Sequence, residues 1–249
     1  MKKKMIIFVI VFIVVIVILS SIYVSENSLD DKTIVFLGDS IMSGYGNEDR
    51  GFEYYLEPYL KNTSLKNVAR GGSTLTQNTG TDDIVIKNQI DKIEDEPDII
   101  VFNGGINDIM GYDVGFLEKS KRLEIGTIDP ETKEISDSNT VYGDFEDTVK
   151  YMKEKYPKAK IYFLSILLLD ETTISNITVD SLARTNIAQR RDEFFSQAKL
   201  FSEKMGITYI DLSHIFVGHD EQYRQEDWIH MSDVGYKQFA AFLLKELKK

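Results

Sequence analysis

The residues best suited to covalent chemistry are a serine near the start of the chain and a histidine near its end. Ser40 closes Gly38-Asp39-Ser40, directly after the apolar run 34–37, and so stands at the exit of an expected strand. Asp227 and His230 stand three residues apart in the stretch QEDWIHMSDVGY. At that spacing a carboxylate can accept from one imidazole nitrogen while the other faces outward, the arrangement a general base requires. A hydroxyl activated by such a base attacks acyl carbonyls. Two more stretches place glycine beside small polar residues: Arg70-Gly71-Gly72-Ser73-Thr74 and Asn103-Gly104-Gly105-Ile106-Asn107-Asp108. Adjacent glycines let backbone N–H groups approach a ligand without interference from Cβ. Each motif alone also reads as an ordinary turn, with Asp, Asn and Ser bonding local backbone. The case rests on their convergence.

That convergence has to be built by the elements between them. Short apolar or β-branched runs at 34–37, 65–69, 98–102, 160–169 and 207–210 read as strands. Helices are expected over 51–60, where Pro58 shortens or kinks a face of Phe52, Tyr55, Leu56 and Tyr59, and over 82–94, where Ile84, Ile86, Ile90 and Ile93 recur at near-helical spacing. Two more are expected over 141–156 and 181–205, the latter stopped by Gly206. A last one follows Ser232, whose side chain is suited to cap it and fix the loop that carries Asp227 and His230. Strands alternating with helices at these lengths predict an α/β domain with a central parallel sheet covered on both faces. In such sheets ligands gather at the carboxyl ends of the strands, and three successive strand exits carry the glycine-rich motifs. Residues 111–141 show no clear periodicity beyond a hairpin expected at Asp129-Pro130, and are expected to form a flap or insertion at the rim.

Composition narrows the chemistry. The chain has 249 residues and a formal charge of −11, with the Lys2-Lys3-Lys4 run at its very start, so the remainder is more acidic still. Such a surface repels phosphate backbones, which excludes nucleic acid as a partner. With no Cys, thiolate nucleophiles, disulfides and Cys-based zinc sites are excluded. No G-x-S-x-G, P-loop or G-x-G-x-x-G stands where it would carry function. His214 and His219, with Asp211 and Asp220 nearby, lack the helical spacing of a zincin and read as a solvated loop, so no metal or other cofactor is implied.

Residues 5–24 are uncharged and overwhelmingly apolar. As a helix, about 20 residues at roughly 1.5 Å each match a hydrocarbon core of about 30 Å. A cleaved signal peptide is the alternative, but the residues after the apolar core make a poor cleavage site. The expected organisation is a cytoplasmic Lys run and membrane anchor at 1–24, a linker at 25–32, and one domain at 33–249. The positive-inside rule then places that domain outside the cytoplasm, at the cell membrane or, if the segment is cleaved, secreted.

Taken together, Gly38-Asp39-Ser40, Gly72 in its glycine pair, Gly105-Ile106-Asn107-Asp108 and Asp227-Trp228-Ile229-His230 resemble the spaced motifs of the SGNH, or GDSL-type, hydrolases, in that family's order. The resemblance spans about 33–249. It implies a three-layer α/β/α sandwich of flavodoxin-like type and a Ser40–His230–Asp227 triad. It further implies an oxyanion hole formed by the backbone N–H groups of Ser40 and Gly72 and the side-chain amide of Asn107, with Asp39 and Asp108 as scaffold. The implied activity is hydrolysis of an acyl or acetyl ester on a small molecule, lipid or glycan. The same triad would also serve an O-acyltransferase acting on an envelope polysaccharide, and the same cleft a silent glycan- or lipid-binding module. Because a histidine base must be neutral, activity is expected to rise with pH through the range in which imidazoles titrate, around 6.5.

Overall fold

The computed structural model describes residues 29–77, 79, 82–166, 169–215 and 220–249. The segment expected to cross a membrane, 1–24, lies outside the described residues, as does His219. Among the described residues no helix is long and apolar enough to span a bilayer.

Five strands, β1 (Thr33–Leu37), β2 (Ser64–Asn67), β3 (Ile99–Phe102), β4 (Lys160–Ser165) and β5 (Thr208–Asp211), form one all-parallel sheet in the order β2-β1-β3-β4-β5. β3 is buried throughout and β1 from its second residue on, as strands covered on both faces must be. The order explains the layers. Parallel crossovers are right-handed, so a step from β1 to β2 and the opposite steps toward β3, β4 and β5 put their helices on opposite faces. On one face lie α1 (Ser40–Ser43) and α2 (Phe52–Leu56). On the other lie α3 (Ile86–Gln89), α4 (Ile106–Met110) and α5 (Val141–Lys155), followed after α6 (Glu171–Ile177) by the long α7 (Ser181–Met205). After β5 the chain passes through α8 (Asp220–Tyr223) and returns as α9 (Asp233–Leu247) to pack on α2.

The second face is held by an aromatic cluster. Phe145 stacks on Phe201 with ring centroids 4.1 Å apart, Tyr142 stacks on Phe194 at 5.2 Å, and the Tyr142 hydroxyl donates to the Phe194 carbonyl. Gly105 is fitted against this cluster: its φ is +101°, and a Cβ there would stand 2.6 Å from the Phe194 ring. Gly105→Ala is therefore expected to destabilise the domain by about 2–4 kcal/mol, as overpacking and a left-handed backbone add. Urea denaturation would read this as a lower midpoint at unchanged slope.

Several elements differ from the sequence expectation. The helix expected over 82–94 is broken into a 3₁₀ turn at Asp82–Ile84, α3 and a second 3₁₀ turn at Ile90–Lys92. Val85 is held extended between them by a parallel bridge to Thr74, although Ile86, Ile90 and Ile93 stay buried as the periodicity required. Pro58 tightens the end of α2 into a 3₁₀ turn, which rotates Tyr59 off the buried face and leaves it 65% exposed. β4 ends at Ser165, short of the expected 169. In the 111–141 stretch the hairpin forms, with Ile128 bridged to Ile135 and Asp129 Oδ1 accepting from the Glu131 and Thr132 amides. It docks on α7, where Gln197 bonds the Ile128 amide and the Gly126 carbonyl.

Candidate active site

β1 and β3 are neighbours whose connections leave toward opposite edges of the sheet, which opens a crevice at their carboxyl ends. Ser40 leaves one strand and the Asn103–Asn107 segment leaves the other. Gly38 takes a φ of +140°, and a Cβ there would fall 1.9 Å from Asn103 Oδ1, so only glycine lets the two strand exits touch. Asp39 then caps α1: its Oδ1 accepts from the Ile41 amide at 2.9 Å and from Asn103 Nδ2 at 2.8 Å. Its own amide donates to Asn103 Oδ1 at 3.2 Å. Burial pushes the Asp39 carboxyl above its ordinary value, against the opposing pull of those hydrogen bonds. Asp39 thus holds the turn, and Ser40 is presented as the first residue of α1.

The glycine loop is tied to this turn by side chains that sequence reading passed over. Gln89 is fully buried; its Oε1 accepts from the Gly38 amide at 2.8 Å, and its Nε2 donates to the Gly38 carbonyl at 2.8 Å and to Ser73 Oγ at 2.9 Å. Ser73 in turn accepts at its carbonyl from Asn107 Nδ2 at 2.8 Å, which orients that amide and leaves its second hydrogen uncommitted by this bond. Asp108 clamps the same loop, accepting from the Leu75 and Thr76 amides at 2.9 and 2.8 Å. Burial raises its pKa, against those bonds and the nearby Arg190. Gly72 takes a φ of +78°, while Gly71 lies against Ser40, the place of its missing Cβ being 3.7 Å from Ser40 Cβ. Both glycines are used. Among the described residues the backbone N–H groups of Ser40 and Gly72 form no hydrogen bond within their turns.

Asp227 and His230 meet as their spacing suggested. His230 Nδ1 lies 2.6 Å from Asp227 Oδ2, and Asp227 Oδ1 accepts from the backbone amides of Ile229 and His230, each at 3.0 Å. Partial burial works to raise the Asp227 carboxyl, but the His230 ring and amide outweigh it and hold the group below the ordinary carboxylate value. Ser232 caps α9 by accepting from the Gly235 amide at 3.1 Å, which fixes the loop from its far side.

The two ends of the chain are then fastened together. The Tyr236 hydroxyl donates to the Ile41 carbonyl at 2.6 Å, tying α9 to α1 across 195 positions of sequence. Gln225 Nε2 donates to the Tyr45 carbonyl at 3.3 Å, and the Tyr45 ring lies 4.7 Å from the His230 ring, tilted by 45°. Tyr45 and Ser40 both lie within 4 Å of the place of the missing Gly71 Cβ, so Gly71 and the Tyr45 ring lead from the serine to the imidazole along one rim. Among the described residues no hydrogen bond joins Ser40 Oγ to the imidazole, and such bonds commonly tighten only when substrate is bound. Phe116, from the 111–141 stretch, covers Gly72 from the other side. Among the described residues no cluster of three or more His, Asp or Glu side chains is placed to hold a metal ion, and the His214 ring packs edge-on against Phe242 instead.

The sequence profile of the GDSL-like lipase/acylhydrolase family matches residues 36–238, a span that includes every residue of this site. The chain belongs to that family. It is accordingly a carboxylic ester hydrolase of GDSL type, and its sheet and helices carry the fold of similar solved structures. A Lactobacillus plantarum protein shares 15% identity at a TM-score of 0.61, covering 87% of this chain and 96% of its own. An acetyl xylan esterase from Geobacillus stearothermophilus shares 19% at 0.55, covering 89% and 96%. A phospholipase A1 from Streptomyces albidoflavus shares 15% at 0.54, covering 88% and 99%. No curated protein sequence matches the chain.

Proposed function

We propose that this GDSL-type hydrolase is a membrane-anchored serine esterase that works outside the cytoplasm on an acyl or acetyl ester of a lipid or an O-acetylated glycan. Ser40, His230 and Asp227 are its triad. The observation that carries the reading is the short Nδ1–Oδ2 contact between His230 and Asp227 on a loop strapped to the Ser40 helix. Asp227 keeps the proton on Nδ1, so Nε2 is free to take the proton of Ser40 Oγ as that oxygen attacks the acyl carbonyl. The oxyanion is received by the N–H groups of Ser40 and Gly72 and by the Asn107 amide. Collapse expels the alcohol, which receives its proton from His230, and water repeats the sequence on the acyl-enzyme.

Asn107 offers the most direct check on the oxyanion hole. Asn107→Ala is expected to lower kcat by about 10²–10³-fold with KM nearly unchanged, because the lost bond strengthens only as charge develops. Steady-state kinetics on p-nitrophenyl acetate reads this, and an effect confined to KM would remove Asn107 from the hole.

Both glycan and lipid esters are handled by proteins of this fold, and two exposed aromatic rings flank the site here. Tyr45 is 55% and Phe116 46% exposed, on either side of the Gly71-Gly72 floor, where they can wall the substrate. The anchor rests on the uncharged segment 5–24. The test of the whole reading uses full-length protein in detergent, assayed on p-nitrophenyl esters of graded chain length and on acetylated glycan. Hydrolysis with stoichiometric labelling by a fluorophosphonate is expected, and neither hydrolysis nor labelling would overturn it. For the anchor, the protein should stay with membranes after a carbonate wash and be digested by protease added outside intact cells.

A further inference from the structure

We propose that Arg224 is the positioning residue of the acid–base loop, its buried guanidinium setting the direction of His230 through a bond network anchored on Asp170. The proposal rests on the reading of Asp227 and His230 as the acid–base pair, and goes beyond it by naming what holds them in place.

The Arg224 side chain is only 2% exposed. Its Nη2 donates to Asp170 Oδ2 at 2.8 Å, while Nη1 donates to Thr173 Oγ1 and, at 3.0 Å, to the carbonyl of Trp228. Trp228 lies between Asp227 and His230, and its φ is +64°. A bulky residue in that left-handed region is held there by its surroundings, and such outliers gather where geometry matters for function. The guanidinium bonds the carbonyl of this very residue. The neighbouring backbone closes the turn: Arg224 forms an antiparallel bridge with Met231, the Gln225 amide donates to the His230 carbonyl at 2.9 Å, and the Trp228 amide donates to the Gln225 carbonyl at 3.1 Å.

The anchor at the other end is itself fixed. Asp170 caps α6, its Oδ1 accepting from the Thr173 amide at 2.7 Å, and Thr173 is fully buried. Arg224 therefore joins the turn to the start of α6 through a planar fork: Nη2 holds the cap of that helix, while Nη1 bridges Thr173 within it and the Trp228 carbonyl of the turn. A lysine, with one compact charge on a flexible stem, cannot make both bonds at once. Among the described residues Arg224 forms no hydrogen bond to Ser40 or to the imidazole, so its effect on the reaction runs through the turn. A displacement of reacting atoms by about 1 Å costs on the order of 100-fold in rate.

The test separates orientation from mere support of the fold. Arg224→Met leaves Asp170 without its ion-pair partner and takes a donor from Thr173 and the Trp228 carbonyl, so a loss of stability and a loss of rate would be mixed. The double variant Arg224→Met/Asp170→Asn removes both charges and keeps a side-chain oxygen to cap α6, and because the Asp170 carboxylate is 39% exposed the lost ion pair itself should cost little stability. Full-length protein in detergent is assayed on p-nitrophenyl acetate, with thermal melting and the downfield proton resonance of the His230 Nδ1–H recorded alongside. The expected result is a double variant that melts near the wild type yet keeps a kcat about 100-fold low, with KM within about twofold and the Nδ1–H signal broadened or lost. Recovery of wild-type kcat together with melting would overturn the proposal. If the double variant does not fold, Asp170→Asn alone, with cap and Arg224 retained, should still lower kcat about tenfold, and an unchanged kcat would overturn it equally. His230→Ala in the same assay keeps the two readings apart. Full activity there sinks the acid–base assignment, whereas an inactive His230→Ala beside a fully active double variant sinks only the role of Arg224.

Discussion

Replacing Ser40 with alanine should cut kcat on p-nitrophenyl acetate by at least about 10⁴-fold and abolish fluorophosphonate labelling, while the melting temperature moves by no more than roughly 2 °C. The two halves of that expectation have separate causes. The rate falls because the acyl-enzyme cannot form, and what survives over water is the share contributed by binding and the oxyanion donors. Stability holds because the turn is built by Gly38, Asp39, Asn103 and Gln89, through hydrogen bonds to which the Ser40 hydroxyl contributes nothing. Kinetics on the purified variant beside a thermal melt decides the matter. Wild-type turnover in a folded Ser40→Ala protein would remove this residue from the chemistry.

Asp227→Asn is expected to lower kcat by a comparable factor, about 10⁴-fold at neutral pH. The carboxylate accepts at both oxygens, one from the ring Nδ1 and the other from the Ile229 and His230 amides. An amide can satisfy only one side. If its oxygen stays with the backbone amides, its NH₂ faces Nδ1 and drives the proton to Nε2, where it blocks uptake from serine. If it turns over, two backbone N–H groups meet a donor.

The pH dependence carries a sign of its own. Burial works to raise the Asp227 carboxyl, but its bonds to His230 prevail and hold it below the ordinary value near 3.9. Its contribution to stability is thus complete above that ordinary value and is lost as pH falls through the lower, folded one. At pH 5 and above, Asp227 is ionised in both states, so a fall in wild-type kcat/KM there does not report this carboxylate. A pH–rate profile beside melts at pH 3 and 7 tests both statements. A variant with unchanged kcat would dissolve the triad.

How far the sequence led can be argued from particular residues. Runs such as 34–37 and 98–102 show their burial as unbroken apolar character, so the sheet was legible. The helix over 181–205 carried its own boundaries, since Asp180 caps its start and Gly206 takes the left-handed φ at its end. The stretch 82–94 misled because periodicity reports which residues are buried, not whether a bridge such as Thr74–Val85 interrupts the helix. The pairing of Asp227 with His230 was legible because few residue types at that spacing can share a proton. Gln89 and Arg224 were not, because a lone polar side chain outside any motif looks like solvent-facing surface. Only the chain's return past Gly38 and Trp228 gives them their partners.

The strap from Tyr236 to Ile41 bears on when the enzyme becomes active as well as on where. Translation delivers Ser40 early and His230 190 positions later, so on the proposed triad a growing chain carries only an unactivated alcohol for most of its time on the ribosome. Ester cleavage switches on only once α9 has emerged and closed against α1.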